Sequence, residues 1–197
     1  TLTTDFGTRD PYAGVAKGMV LSANPDARIT DITHEIPARD IVHAAFTIAR
    51  SFEYFPGGTI HVVVVDPEVG EKRKNIAILT RRFVFIGPDN GTFSMALSRE
   101  NILEIREIRN SPFVAERISN TFHGRDVFAP CAGHLSAGRL FDDVGPLLDQ
   151  IRPLRYPKAV HEEDALSGEI IVVDSFGNLV TNIHEHIFRS FVGKKRY

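Results

Sequence analysis

Ile60-His61-Val62-Val63-Val64-Val65 is an apolar, β-branched run broken by a single histidine, and it stops abruptly at Asp66-Pro67. Apolar residues at every position, rather than at alternate ones, are the pattern of a strand buried on both faces, as in a parallel sheet. Asp66 then stands at the carboxyl end of that strand. Open α/β sheets bind their ligands at that edge. A buried carboxylate needs a partner to stay charged, and Arg73 follows in the same segment. A salt-bridged loop opening is the alternative reading of the same residues.

Strand and helix signals alternate outward from this run. Residues 1–4 form a short strand running into Asp5-Phe6-Gly7; Asp10 and Pro11 then supply an N-cap and a first-turn proline for a helix that continues towards Asn24-Pro25. A second strand is expected over 27–32. Asp40 caps a helix in which Ile41, Ala44, Ala45, Ile48 and Phe52 recur at helical spacing. Strands follow at 59–65, 75–80 and 83–86, the last running into the turn Gly87-Pro88-Asp89-Asn90-Gly91. A strand over 102–108 and a short helix over 126–137 complete an N-terminal α/β domain, residues 1–146, with a mostly parallel central sheet flanked by helices. Pro146, Pro153, Pro157 and the acidic run 162–164 mark a linker over 147–167. Residues 168–174 repeat the pattern of a strand ending in an acid, and 179–183 read as its antiparallel return. This is the start of a smaller all-β C-terminal domain, residues 168–197, and only partly present, because one strand pair is not stable alone. The chain opens at Thr1 inside a strand and stops soon after the second domain begins, so it reads as part of a longer protein.

Of 197 residues, 43% are hydrophobic and 24% charged, enough for one good core and a small second unit. A net charge of −2 gives no sign of a nucleic-acid or membrane partner and points to a small-molecule substrate. Cys131 is the only cysteine, which excludes an intrachain disulfide and a cysteine-based zinc site and fits a cytoplasmic location. No stretch reaches membrane-spanning length.

Three strand ends carry acids: Asp5 before Phe6-Gly7, Asp66 before Pro67, and Asp174 before Ser175-Phe176-Gly177. Such carboxylates accept from hydroxyls or amines of a ligand, or close the strand as an Asx turn. In Thr121-Phe122-His123-Gly124-Arg125-Asp126, His123 stands before an apolar helix whose dipole favours the neutral imidazole. The alternative is a local cap, with Arg125 and Asp126 paired on the surface. Eight histidines raise the question of a metal, but His34, His43 and His184-Glu185-His186 lack a zincin spacing, and none is expected. No phosphate-loop motif follows any strand. Of the basic residues Lys72, Arg73, Lys74, Arg81 and Arg82, four read as a solvated face.

Taken in order, Thr4-Asp5-Phe6-Gly7, Asp10-Pro11-Tyr12, His34-Glu35-Ile36-Pro37, Asp66-Pro67 with Val69-Gly70 and Arg73, Gly87 to Gly91, Thr121 to Pro130, and Asp174 to Asn182 resemble the S-adenosyl-L-methionine (SAM) hydroxide adenosyltransferases, relatives of the halogenating SAM enzymes. The resemblance spans nearly the whole chain. It implies hydrolysis of SAM to adenosine and methionine without metal or cofactor, with Asp66, Arg73 and His123 as the water-activating set. It also implies substrate contacts from Asp5 to the ribose hydroxyls, from Tyr12, and from Asp174 and Asn178 to the amino-acid end. Phe122 and Phe176 either pack on the ligand or belong to the core. Halogenating relatives carry tyrosines at the positions of Asp66 and His123 and a serine at that of Gly124, so the hydrolase branch is the better fit. Glu68 departs from the family's glycine and adds a charge near the site, with an expected effect on loop shape or pH response.

The resemblance further implies a homotrimer with SAM between the N-terminal domain of one subunit and the C-terminal domain of the next. The family's adenine-recognising segment lies beyond Asp174, so a chain ending at Tyr197 is expected to bind SAM weakly. A non-catalytic SAM or adenosine binder is the alternative function, and a metal-dependent hydrolase built on His123 and Asp126 a remoter one.

Overall fold

The computed structural model describes residues 1–193. Its elements are β1 (Leu2–Thr4), α1 (Tyr12–Ala23), β2 (Asp31–Thr33), α2 (Ile41–Ser51), β3 (Ile60–Val64), β4 (Asn75–Thr80), β5 (Val84–Pro88), α3 (Ser94–Leu97), β6 (Ile102–Glu107), a π-helical turn over Gly124–Phe128, α4 (Ala129–Ser136), β7 (Val160–His161), β8 (Leu166–Ser167), β9 (Ile170–Val173), β10 (Leu179–Thr181) and α5 (Glu185–Val192). The chain divides into two units, Thr1–Leu154 and Arg155–Tyr197.

The first unit is built on a six-stranded sheet of order β2-β1-β3-β5-β4-β6. The pairs β1/β2, β1/β3 and β3/β5 are parallel, and β4 runs antiparallel to both its neighbours. The apolar run through β3 has a simple cause. Val62 and Val64 enter the core shared with α1 and α4, while Val63 and Val65 enter the opposite core shared with α2 and α3. Each of these four side chains is buried, so both faces of the run call for apolar residues. The chain leaves β1 in one direction to make β2 and crosses back to make β3 on the other side. The crevice between β1 and β3 is thus a topological switch point, and Asp5 and Asp66 follow the two strands that flank it.

Local departures from the sequence pattern have identifiable causes. Strand β2 is three residues long rather than six, matching the three residues of β1 beside which it lies. Asp10 does not cap α1: Pro11 takes the capping position, without a side-chain cap, and its carbonyl accepts from Val15. Asp40 does cap α2, accepting from the His43 N–H at 2.9 Å.

The expected helix over 126–137 begins instead with the π-helical turn, for which His123 is the N-terminal cap. Pro130 lacks the N–H that would bond the Asp126 carbonyl, and the Ala115 N–H takes that carbonyl at 2.7 Å. Residues 147–154, the first part of the expected linker, are bound into the first unit. Leu148 N–H meets Ile105 O on the edge strand β6, while Arg152 N–H meets Asp89 Oδ1 just after β5 and Leu154 N–H meets Ser94 Oγ at the start of α3.

In the second unit β9 and β10 pair antiparallel, as do β7 and β8. Asn182 is buried there; its amide accepts from Glu169 N–H and donates to Pro157 O.

Candidate active site

Asp66 lies two residues past the end of β3, and Asn90 steadies the link by donating through Nδ2 to Val65 O at 2.8 Å. From there residues 67–72 loop out and return Arg73 to the first turn of chain before β4. The Arg73 side chain is fully buried and that of Asp66 is 5% exposed. Arg73 Nε donates to both carboxylate oxygens, at 3.1 Å to Oδ1 and 2.9 Å to Oδ2, and Nη2 also donates to Oδ2. The guanidinium supplies the charge partner and the hydrogen-bond donors that a buried carboxylate requires. Lys72, Lys74, Arg81 and Arg82 are exposed, as the solvated-face reading expects.

His123 completes the group from a different segment. Its Nδ1 lies 2.7 Å from Nη2 of Arg73. A guanidinium has no acceptor, so Nδ1 accepts and the neutral ring carries its proton on Nε2. The His123 pKa is held below the ordinary histidine value, first by burial and then by the Arg73 charge; Asp66 and Asp126 pull it the other way. The sequence pattern points to the helix terminus as the depressing influence; burial and a neighbouring cation are what act. Arg125 and Asp126 are paired, yet this is more than a surface pair: Asp126 is buried and accepts from Ser119 N–H at 2.8 Å, which shapes the loop presenting Phe122 and His123.

Asp5, Phe6, Val64, Asp66, Val69, Thr121, Phe122, His123 and Gly124 line one small cleft of about 70 Å³, room for water but not for a whole nucleoside. Tyr12 packs edge-on against Phe6 and Phe122, two of the cleft's lining residues, at ring-centre distances of 6.2 and 5.2 Å. Asp5 Oδ2 accepts from the backbone N–H of Arg39, a residue with φ +66°. The two motifs Thr4-Asp5-Phe6-Gly7 and His34-Glu35-Ile36-Pro37 bind one another through Gly7 N–H to His34 O, Ile36 N–H to Thr4 O, and Thr4 Oγ1 with His34 Nδ1.

Asp174, Phe176 and Asn178 lie in the second unit. Asp174 Oδ1 accepts from the N–H groups of Phe176 and Asn178, and Oδ2 from Asn178 Nδ2, so this acid closes an Asx turn. Those bonds, the Asn178 side chain foremost, hold its pKa below the usual carboxylate range. Phe176 is 91% exposed, which removes core packing as its role within the unit.

Glu68 turns away from Asp66 and pairs with Arg152 at 2.8 Å. Three participants carry no signal in the sequence pattern: Asn75, which accepts from Arg73, Ser119, and Asn90 in its tie to Val65. Among the described residues no group of three or more His, Cys, Asp or Glu could hold a metal ion, and no helix is long and apolar enough to cross a membrane.

This arrangement defines an α/β domain with its binding crevice at the switch point of a doubly wound sheet. The SAM hydroxide adenosyltransferase N-terminal domain profile matches residues 1–145. The (R)-S-adenosyl-L-methionine hydrolase of Methanocaldococcus jannaschii is 38% identical over 191 residues, 93% of this chain and 66% of that one. Its namesake in Salinispora arenicola is 36% identical over 182 residues, 91% of this chain and 69% of that one. A crystal structure of an uncharacterized conserved protein from Thermotoga maritima superposes with a TM-score of 0.88 at 39% identity, covering 96% of this chain and 73% of that one. The chain therefore belongs to the SAM hydroxide adenosyltransferase family, and it spans about two thirds of the length of these two curated relatives.

Proposed function

We propose that this protein hydrolyses SAM to adenosine and methionine by attack of water, as hydroxide, at the ribose C5′. The observation that carries the reading is the buried Asp66–Arg73–His123 group beside a cleft of water size. Sulfonium chemistry asks for nothing more elaborate: the leaving thioether departs neutral and needs no acid. Water must be placed and relieved of a proton. Asp66 Oδ1, held by one long Arg73 contact, is the less engaged oxygen and takes that proton. His123, with Nδ1 occupied, serves as a donor that orients the water rather than as the base. Attack is in line and inverts C5′.

Asp5 is assigned to the ribose hydroxyls, with Tyr12 and Phe122 on the ligand's flank, and Asp174, Phe176 and Asn178 to the methionine end. The reaction needs no metal and no cofactor. The assembly is a homotrimer with interfacial sites, working in the cytoplasm, a location supported by the single, buried Cys131.

Incubation with SAM and chromatographic detection of adenosine tests the reading. Adenosine is expected with the wild type, with or without a chelator, and is lost in Asp66→Ala and His123→Ala. Adenosine no faster than spontaneous decay would overturn it. Light scattering checks the trimer.

A further inference from the structure

Arg73 carries more of the site than its pairing with Asp66 requires. Its guanidinium has five N–H donors in a rigid plane. Nε and one N–H of Nη2 go to Asp66, and the other N–H of Nη2 goes to His123 Nδ1. Nη1, on the far side of the plane, donates to Asn75 Oδ1. The guanidinium carbon lies over the Phe128 ring, 5.7 Å from its centre. Asn75 is a rigid point of attachment. It is the first residue of β4, pairs with Pro88 of β5, and its carbonyl accepts from Ile108 N–H at 2.8 Å.

We propose that Asn75 is the positioning residue of the water-activating group: by holding Nη1 it sets the guanidinium angle at which Nη2 meets both Asp66 and His123, and so fixes His123 as its Nε2–H tautomer. Without that hold, a buried Nη1 is left unpaired. The fork then tilts towards other acceptors, Nη2 leaves Nδ1, and the ring is free to take either tautomer. The consequence for rate rests on the hydrolase reading above; the consequence for the tautomer does not. The charged groups around the ring are Arg73 and Asp66 on one side and Asp126, with its partner Arg125, on its own turn. Asn75→Asp keeps an acceptor oxygen for Nη1 and adds one negative charge beside the Arg73 guanidinium.

The test is ¹⁵N NMR of histidine-labelled protein at about pH 8, with His123→Gln giving the assignment, on wild type, Asn75→Leu, Asn75→Ala and Asn75→Asp. Wild type and Asn75→Asp are expected to show the Nε2–H form at His123. Asn75→Leu and Asn75→Ala are expected to show averaged tautomers and, in the adenosine assay, a kcat lower by about 100-fold with KM little changed. A retained Nε2–H tautomer in Asn75→Ala or Asn75→Leu overturns the proposal, as does loss of it in Asn75→Asp. If wild type makes no adenosine while the tautomers behave as expected, the hydrolase reading falls and the role of Asn75 stands.

Discussion

Gly70 sits against the backbone of Asn120, so close that a Cβ on it would lie 2.2 Å from the Asn120 carbonyl oxygen. It also holds φ at +81°. This contact seats the loop between Asp66 and Arg73 on the loop that presents His123. Only glycine permits this approach of the two loops, which is the physical content of the Val69-Gly70 motif. Gly70→Ala is therefore expected to lose about 1–3 kcal/mol of stability in urea titration and to make adenosine at least about 10-fold more slowly. Gly138→Ala is the control: φ is +86° there with no atom within 4 Å of a new Cβ, so backbone strain acts without a clash. Equal behaviour of the two variants would remove the contact from the explanation.

Asn90 was readable as a turn residue, but its amide acts on the strand next door. Nδ2 holds Val65 O, while Oδ1 accepts from Thr92 N–H and, at 2.7 Å, from Thr92 Oγ1. Asn90→Ala leaves the carbonyl immediately before Asp66 without its donor and should cost about 1–3 kcal/mol. Asn90→Asp should do no better, since a carboxylate keeps the turn's acceptor but cannot donate to Val65. Chemical denaturation of the two variants decides it: an aspartate variant as stable as wild type would show that the turn alone matters.

The sheet was legible because burial on both faces of β3 forces an apolar run with His61 as its one polar member, and the acids Asp5, Asp66 and Asp174 were legible because each ends a strand-like run. Family resemblance joined Asp66, Arg73 and His123 before any contact was visible. What pattern could not separate is what each acid does with its oxygens. Asp174 spends them on its own turn, Asp5 gives one to Arg39 and Asp66 gives both to Arg73. Asn75, Ser119 and Asn90 were illegible because a polar residue next to a strand or in a loop carries no periodicity; its meaning lies entirely in a partner distant along the chain. Residues 147–154 misled for the opposite reason. Prolines gave them the composition of a linker, while their N–H groups satisfy buried acceptors, Asp89 among them.

Glu68 pairs with Arg152 and not with the buried group, and both side chains are substantially exposed, at 40% and 48%. Solvent and salt screen such a pair, which contributes at most about 1 kcal/mol. Glu68→Gln is expected to change stability by less than about 1 kcal/mol and to leave the pH dependence of adenosine formation where it is in wild type. A displaced pH profile would mean that the Glu68 charge reaches Asp66 or His123 after all.

His61 gives the fold a built-in sensitivity to acid. It interrupts the apolar run of β3 and is fully buried among Phe52, Phe55, Phe83 and Phe85, stacked on the last at 5.3 Å. Nδ1 meets Thr1 Oγ1, and Nε2 has no hydrogen-bond partner among the described residues. Burial pushes its pKa down to about 3 from 6.5. In the window between those values the unfolded chain binds a proton that the folded chain refuses, so stability rises with pH there and is lost as pH falls below about 6.5. From about pH 7 to about pH 5 this single group should remove roughly 2 kcal/mol. His61→Phe keeps the ring packing and abolishes the titration. Urea midpoints measured at both pH values should therefore converge in the variant relative to wild type, and an unchanged gap between them would show that the acid sensitivity has another source.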